Sequence, residues 1–290
     1  MSAYLLHLLI MICIYIILGL SLNLIVGYSG MLSLCHAAFF GIGAYASTLL
    51  VTSARWPYWL SQVATVLICG LIAYLISIPS TQLRGDFFIL ATIAFQIIIS
   101  AVFSNWISLT NGLNGISGIP PPNFFGQAVV SDWSYFLLVL FVTLAVFLLV
   151  WRLSQSPYGR VLQATRDDEL AAQALGKNVR QLRQGVFTIG GMLASLSGIL
   201  FAGYTSYIDP TSFTLDESIF ILCIVVIGGT GNLRGPITGA FCLVLFPELI
   251  RFLSIPNAFA ANARQTLYGF LLIMAMRLRP QGIAGKYAFD

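Results

Sequence analysis

No lysine, arginine, aspartate or glutamate precedes Arg55, and two further long stretches, between Asp86 and Asp132 and between Arg183 and Asp209, are equally free of charge. Runs of this kind cannot enclose a core and still present a charged surface to water. Across all 290 residues only 8% are charged and 58% are hydrophobic, with mean hydropathy +0.91; a soluble domain carries roughly 25% charge. In hydrocarbon every backbone polar group must be satisfied internally, which leaves helices or closed barrels. A barrel needs apolar and polar residues in alternation, and that pattern is absent. The expected fold is therefore all-α, a polytopic transmembrane bundle. The opening apolar run lacks a basic leading segment and a small-residue cleavage site, so it reads as a retained first span rather than a signal peptide.

Apolar windows place about nine spans, near 4–26, 31–52, 59–78, 86–106, 134–151, 184–207, 217–228, 236–253 and 260–278, the seventh unusually short. Setting the N-terminus outside puts Arg84, Arg152, Arg160, Arg166, Lys177, Arg180, Arg183, Arg234, Arg277, Arg279 and Lys286 in the cytoplasm. Only Arg55, Arg251 and Arg264 then lie outside. The bias of basic residues toward the cytoplasm selects this orientation, with the C-terminus inside. The net charge of +4 is thus explained by topology and is no sign of nucleic-acid binding.

One hydrophilic island interrupts the apolar pattern, over 152–183. Six basic residues and the acids Asp167, Asp168 and Glu169 fall within it. Ser156 ahead of Pro157 is a helix start, and Gly176 is a helix stop. A capped, charged helix tied at both ends to membrane spans is suited to a soluble partner, and its rigidity suits it to transmit motion.

Small residues recur where helices must approach: Gly191, Ala194, Ser195, Gly198 and Ala202 in the sixth span, and Gly41, Ala44 and Ser47 in the second. They serve packing within the bundle or against another subunit. Gly27-Tyr-Ser-Gly-Met-Leu32 and Gly228-Gly-Thr-Gly-Asn-Leu233 echo each other, each between two spans, as in a parallel repeat. The loop at 108–133 is rich in Gly, Asn and Pro and cannot be helical throughout. It is either a linker or a cap facing an external partner. The five cysteines lie in apolar segments without metal-ligand spacing and read as structural thiols.

The chain offers little chemistry of its own. Its turn GGTGNLRGP lacks the lysine and hydroxyl of a phosphate-binding loop. Only His7 and His36 are available as imidazole bases. Ion-coupled carriers place ionisable groups at mid-membrane, whereas here the spans look almost free of them, Glu248 being offset by Arg251 three residues on. Catalysis and ion coupling are both disfavoured, so the energy source is expected outside this polypeptide.

Seven ordered blocks carry a family resemblance: NLIVGYSGMLSLCHAAFFGIGAYAS (23–47), LRGDFFILAT (83–92), NGLNGISGIPPP (111–122), SPYGRVLQATRDDELAAQALGKNV (156–179), GGTGNLRGPITGA (228–240), LFPELIR (245–251) and RPQG (279–282). Over nearly its whole length the chain resembles the M-type permease subunits of high-affinity branched-chain amino acid ABC importers. Cys35 stands where that family usually has glycine. The resemblance implies a single permease domain over 1–290 in a bacterial cytoplasmic membrane. It also implies a homologous second permease, two cytoplasmic ATPase subunits and an extracytoplasmic substrate-binding protein. No cofactor is expected on this chain, ATP–Mg belonging to the ATPases. Arg160, Arg166, Asp167, Asp168, Glu169 and Gly176 fall in the expected ATPase-coupling segment. Candidates for the substrate route are polar residues near bends: Asn23, Ser29, Ser33, His36, Gln96, Asn111, Asn114, Thr230 and Asn232. Related importers of urea, amides or other amino acids share these blocks, and an ion-coupled secondary transporter is the rival from another class.

Overall fold

The most apolar segment of the chain is shielded from lipid by protein. Helix α1 (Ser2–Asn23) runs into a single π-helical turn, Leu24–Tyr28. Most of the span it forms, Tyr4–Tyr28, is buried inside the protein. A helix that is hydrophobic all round belongs in a core, and α6 (Asp132–Gln155), α9 (Val179–Thr205), α10 (Leu215–Gly228) and α11 (Arg234–Arg251) pack around this one, with α2 (His36–Thr52) touching it more lightly. The structure is a computed structural model and describes residues 2–83, 85–124, 127–129, 131–251 and 269. The ninth expected span, 260–278, and the side chains of Glu248 and Arg251 lie outside the described residues.

Three long helices form the lipid-facing perimeter: α3 (Tyr58–Ser80), α4 (Asp86–Asn105) and α6 (Asp132–Gln155). Each turns leucines, isoleucines or phenylalanines outward, among them Leu71, Ile98 and Phe141. Exposed Trp56, Trp59, Trp106 and Trp133 gather where α3 and α6 begin and α4 ends. Such a belt marks a membrane–water interface.

The small-residue stripes are packing surfaces inside this chain. A Cβ added at Gly198 would overlap the Phe40 carbonyl oxygen and stand 2.7 Å from the Ala44 nitrogen. One added at Gly43 would come within 2.6 Å of the Ser195 Cα. The backbones of α2 and α9 therefore touch, and larger residues at these points would push them apart.

Two boundaries differ from the sequence expectation. The second span starts at His36 rather than near residue 31, because Gly30 sits at φ +71°, outside any right-handed helix, and residues 30–35 run as an irregular link. The sixth starts at Val179, inside the island, where Asn178 caps it by accepting from the Gln181 N–H at 3.2 Å.

At the tryptophan-marked end, the Gly/Asn/Pro loop is an ordered cap. It comprises the short α5 (Ile107–Thr110), a 3-10 turn at Gly112–Asn114, strand β1 (Ile116–Ser117) and the hairpin of β2 (Asn123–Phe124) with β3 (Gln127–Ala128). Strand β1 pairs antiparallel with β4 (Tyr207–Ile208), Ile116 opposite Ile208, so the loop is fastened to the link between α9 and α10.

Candidate functional site

At the opposite end lies the island. Its expected single helix is two, α7 (Pro157–Asp167) and α8 (Glu169–Ala174). The break has a local cause: Asp168 is extended (φ −150°, ψ 103°) and its carboxylate accepts from the Ala171 N–H at 2.9 Å. An aspartate that caps the next helix leaves the one before it. The expected start and stop hold. The Ser156 hydroxyl accepts from the Gly159 N–H at 3.3 Å, with Pro157 in the first turn. Gly176 (φ +75°) closes α8, its N–H reaching the Gln173 carbonyl while that of Lys177 reaches Ala172. This pairing is the Schellman arrangement, which needs a left-handed residue.

Several island residues face inward. Arg166 Nη1 donates to the Gly27 carbonyl at 2.6 Å, and Nη2 lies 2.8 Å from Asp167. Glu169 pairs with Arg183 at 3.1 Å, tying α8 to the first turns of α9. The Tyr158 hydroxyl donates to the Leu182 carbonyl at 2.9 Å, and burial pushes its phenol up to about 12, so it remains a donor at any working pH. Arg160 is exposed. Outward, α8 shows Leu170 and the residue after it Leu175, at 71% and 79% exposure. Sequence reasoning, directed at charges, passed over both. The available signal was a leucine at each end of an alanine-rich turn in an otherwise hydrophilic segment.

The substrate-route candidates separate into three groups. Asn23, Thr230 and Asn232 meet where the two echoing glycine turns lie against each other. The Asn23 amide donates to the Asn232 carbonyl and accepts from the Gly231 N–H, both at 3.1 Å. A Cβ at Gly27 would overlap the Gly231 nitrogen.

The second group surrounds the start of α2. His36 Nε2 lies 3.0 Å from the Ser21 hydroxyl, which places the first turn of α2 roughly 10 Å inside the Tyr28 end of the first span at ~1.5 Å per residue. The free N–H groups there are met by side chains from other helices: Ala37 donates to Ser218 at 2.9 Å and Ala38 to Gln96 at 2.7 Å. The Gln96 amide in turn donates to the Phe213 carbonyl at 2.8 Å. Ser33 bonds Cys35, whose φ of −114° requires no glycine. The Ser29 hydroxyl and His36 Nδ1 are buried without a hydrogen-bond partner.

The third group, Asn111 and Asn114, lies at the far end in the cap. Asn111 (φ +62°) donates to the Gly115 carbonyl at 2.9 Å, and Asn114 accepts from the Tyr207 hydroxyl at 3.2 Å.

One ionisable group falls where none was foreseen. Glu217, in the first turn of the short α10, accepts from the Tyr15 hydroxyl at 2.8 Å. Tyr15 is about 20 Å from the end of the first span, at ~1.5 Å per residue. The carboxyl is therefore at mid-depth, because the chain re-enters the bundle through Pro210–Phe213 before α10 begins. Sequence windows set Glu217 at a span boundary because they could not show re-entry.

No group of three metal-ligating side chains occurs among the described residues. The architecture is a set of long apolar helices with broken segments inside and a charged, capped island at one end. Residues 4–276 match the family described as the permease component of the branched-chain amino acid transport system. The chain belongs to this family. It is 35% identical to the high-affinity branched-chain amino acid transport system permease protein LivM of Escherichia coli (strain K12), over 93% of this chain and 67% of that protein. The LivM of Salmonella typhimurium (strain LT2) is 34% identical over 94% of this chain and 68% of its own length. A probable branched-chain amino acid transport permease protein LivM of Methanocaldococcus jannaschii is 25% identical over 93% and 90%. The chain is thus a multi-pass membrane permease of an ABC importer and not an enzyme.

Proposed function

We propose that this permease is the M-type half of a branched-chain amino acid importer in a bacterial cytoplasmic membrane, N-terminus outside and C-terminus inside. Its island docks on one of two ATPase subunits, which hold ATP–Mg and hydrolyse it. A homologous permease completes the passage, and an extracytoplasmic binding protein delivers substrate at the capped end. The observation that carries the reading is the pair of capped helices α7 and α8, which bares Leu170 and Leu175 beyond the lipid-facing helices. The similarity to LivM proteins supports branched-chain amino acids as the cargo. The substrate route passes the α2 start, where Ser29, Ser33, His36 and Gln96 concentrate polar groups inside the bundle.

Reconstitution tests the reading. Proteoliposomes holding both permeases and both ATPases should take up leucine only with ATP and the loaded binding protein, and this chain alone should do nothing. Uptake by this chain alone under a proton or sodium gradient would make it a secondary carrier. A cognate binding protein that takes urea or an amide instead would replace the substrate and leave the importer intact. Cysteines placed at Leu113 and Lys177 should label from opposite sides of the membrane; labelling from one side breaks the topology.

A further inference from the structure

Among the contacts of the island with the membrane bundle is one buried cation that reaches the first span. Arg166, at the end of α7, crosses to the π-helical end of α1 and donates to the Gly27 carbonyl at 2.6 Å. Its side chain is only 12% exposed. The stem lies on Gly30: a Cβ built there would stand 2.8 Å from the Arg166 Cγ. Gly30 at φ +71° is where the chain leaves α1 for the link to α2. The peptide that Arg166 grips also abuts the second glycine turn, through the Gly27–Gly231 backbone contact and the two hydrogen bonds of Asn23. That turn joins α10 to α11. One side chain on the island therefore bears on the break before α2 and, through it, on the turn between α10 and α11.

We propose that Arg166 is the positioning residue for energy coupling: its guanidinium grips the Gly27 carbonyl and its stem fills the space over Gly30, so that displacement of α7 moves both glycine turns as one body. This rests on the importer reading above. Arginine suits the task because its planar fork holds Gly27 and Asp167 at once, while its stem packs on a surface that lacks a Cβ. The role differs from that of Leu170 and Leu175, which face away from the bundle and hold the partner. Arg166 acts on the transmission of movement and contributes nothing to docking.

The test uses the whole complex, both permeases with both ATPases in proteoliposomes, and reads leucine uptake per ATP hydrolysed alongside retention of the ATPases. Arg166→Ala should keep the ATPases and basal hydrolysis, while uptake per ATP falls at least about tenfold, as expected for losing one hydrogen bond to a charged group. Asp167→Asn, which alters only the exposed ion pair, should stay within about twofold of the parent. A parental ratio in Arg166→Ala overturns the proposal, and so does loss of the ATPases, which would make Arg166 a docking contact.

A second variant keeps the question open to refutation if the Arg166→Ala permease itself does not fold. The Cβ positions of residues 30 and 166 are 3.6 Å apart, within disulfide range. In the Gly30→Cys/Arg166→Cys pair, copper–phenanthroline removes two electrons and two protons to form the S–S bond. The reduced pair should be uncoupled and the oxidised pair should regain uptake per ATP, with Gly30→Cys alone as the control. An oxidised pair that stays uncoupled, or thiols that never join, refutes the linkage. Absence of ATP-driven uptake in the parent complex would instead overturn the importer reading itself.

Discussion

The two ends of the bundle solve the same problem differently. Each must close off helices in water, and each does so with an excursion of non-spanning chain. The cap at 107–129 carries no charge and spends its polar groups on itself and on the α9–α10 link: Asn111 on Gly115, Asn114 on Tyr207, and the Gly118 and Ile119 N–H groups on the Ser206 carbonyl. The island carries many charges, fixes its shape with three short-range caps at Ser156, Asp168 and Asn178, and leaves two leucines bare. Fastened by backbone pairing to the α9–α10 link, the cap is an extension of the bundle. The island is held to the bundle by side chains, Arg166 on Gly27 and Tyr158 on Leu182. The cap is closed by polar bonds to neighbouring backbone, whereas the island is shaped by local helix caps and leaves apolar residues turned outward.

The most damaging single change should be in the cap. Gly115 sits at φ +67°, and a Cβ there would overlap the Ile208 carbonyl oxygen. Gly115→Ala should cost about 2–4 kcal/mol, from the left-handed backbone and the overlap together, visible as a lowered thermal midpoint of the purified permease. If the midpoint does not move, the cap is not part of the cooperative unit and the contrast with the island fails.

Next come the leucines. Leu170→Asp should reduce ATPase retention about tenfold or more, as for a central apolar contact, yet leave the permease's own stability within about 0.5 kcal/mol. Equal retention would remove α8 from the docking surface. Smaller again is Gly176→Val. No atom lies within 4 Å of the added Cβ, so only the left-handed backbone at φ +75° opposes it, costing roughly 1–2 kcal/mol. Amide exchange should quicken over 169–177 and nowhere in the cap.

The mildest change is Asp168→Ala, which removes the cap of α8 for about 1 kcal/mol, whereas Asp168→Asn should retain it. Equal exchange in the two variants would show that the carboxylate acts through charge. This also bears on charge reversal at Asp168 and Glu169: since the first caps α8 and the second holds Arg183, such a variant would damage α8 along with any docking.

Much of this was legible in the chain. Uncharged stretches announced the spans, because lipid tolerates no unpaired charge, and Ser156 and Gly176 announced the island's limits, because caps act over three or four residues. Gly191 and Gly198 marked close helix contacts without naming their partners, α3 at Ala73 for the first and α2 for the second. The echoing glycine turns were visible as a pattern, while the fact that they touch was not.

What the sequence determined by itself is therefore what depends on near neighbours and on the solvent: helical class, membrane embedding, the island and its caps. Only the tertiary structure decided which polar groups meet across long separations. It set Gln96 and Ser218 on the start of α2, Tyr15 on Glu217 at mid-depth, and Arg166 on Gly27. These contacts arise where helices break inside the bundle and leave backbone donors and acceptors that water cannot reach. Their partners must come from whichever helix is adjacent in space, and adjacency in space is not written in residue spacing.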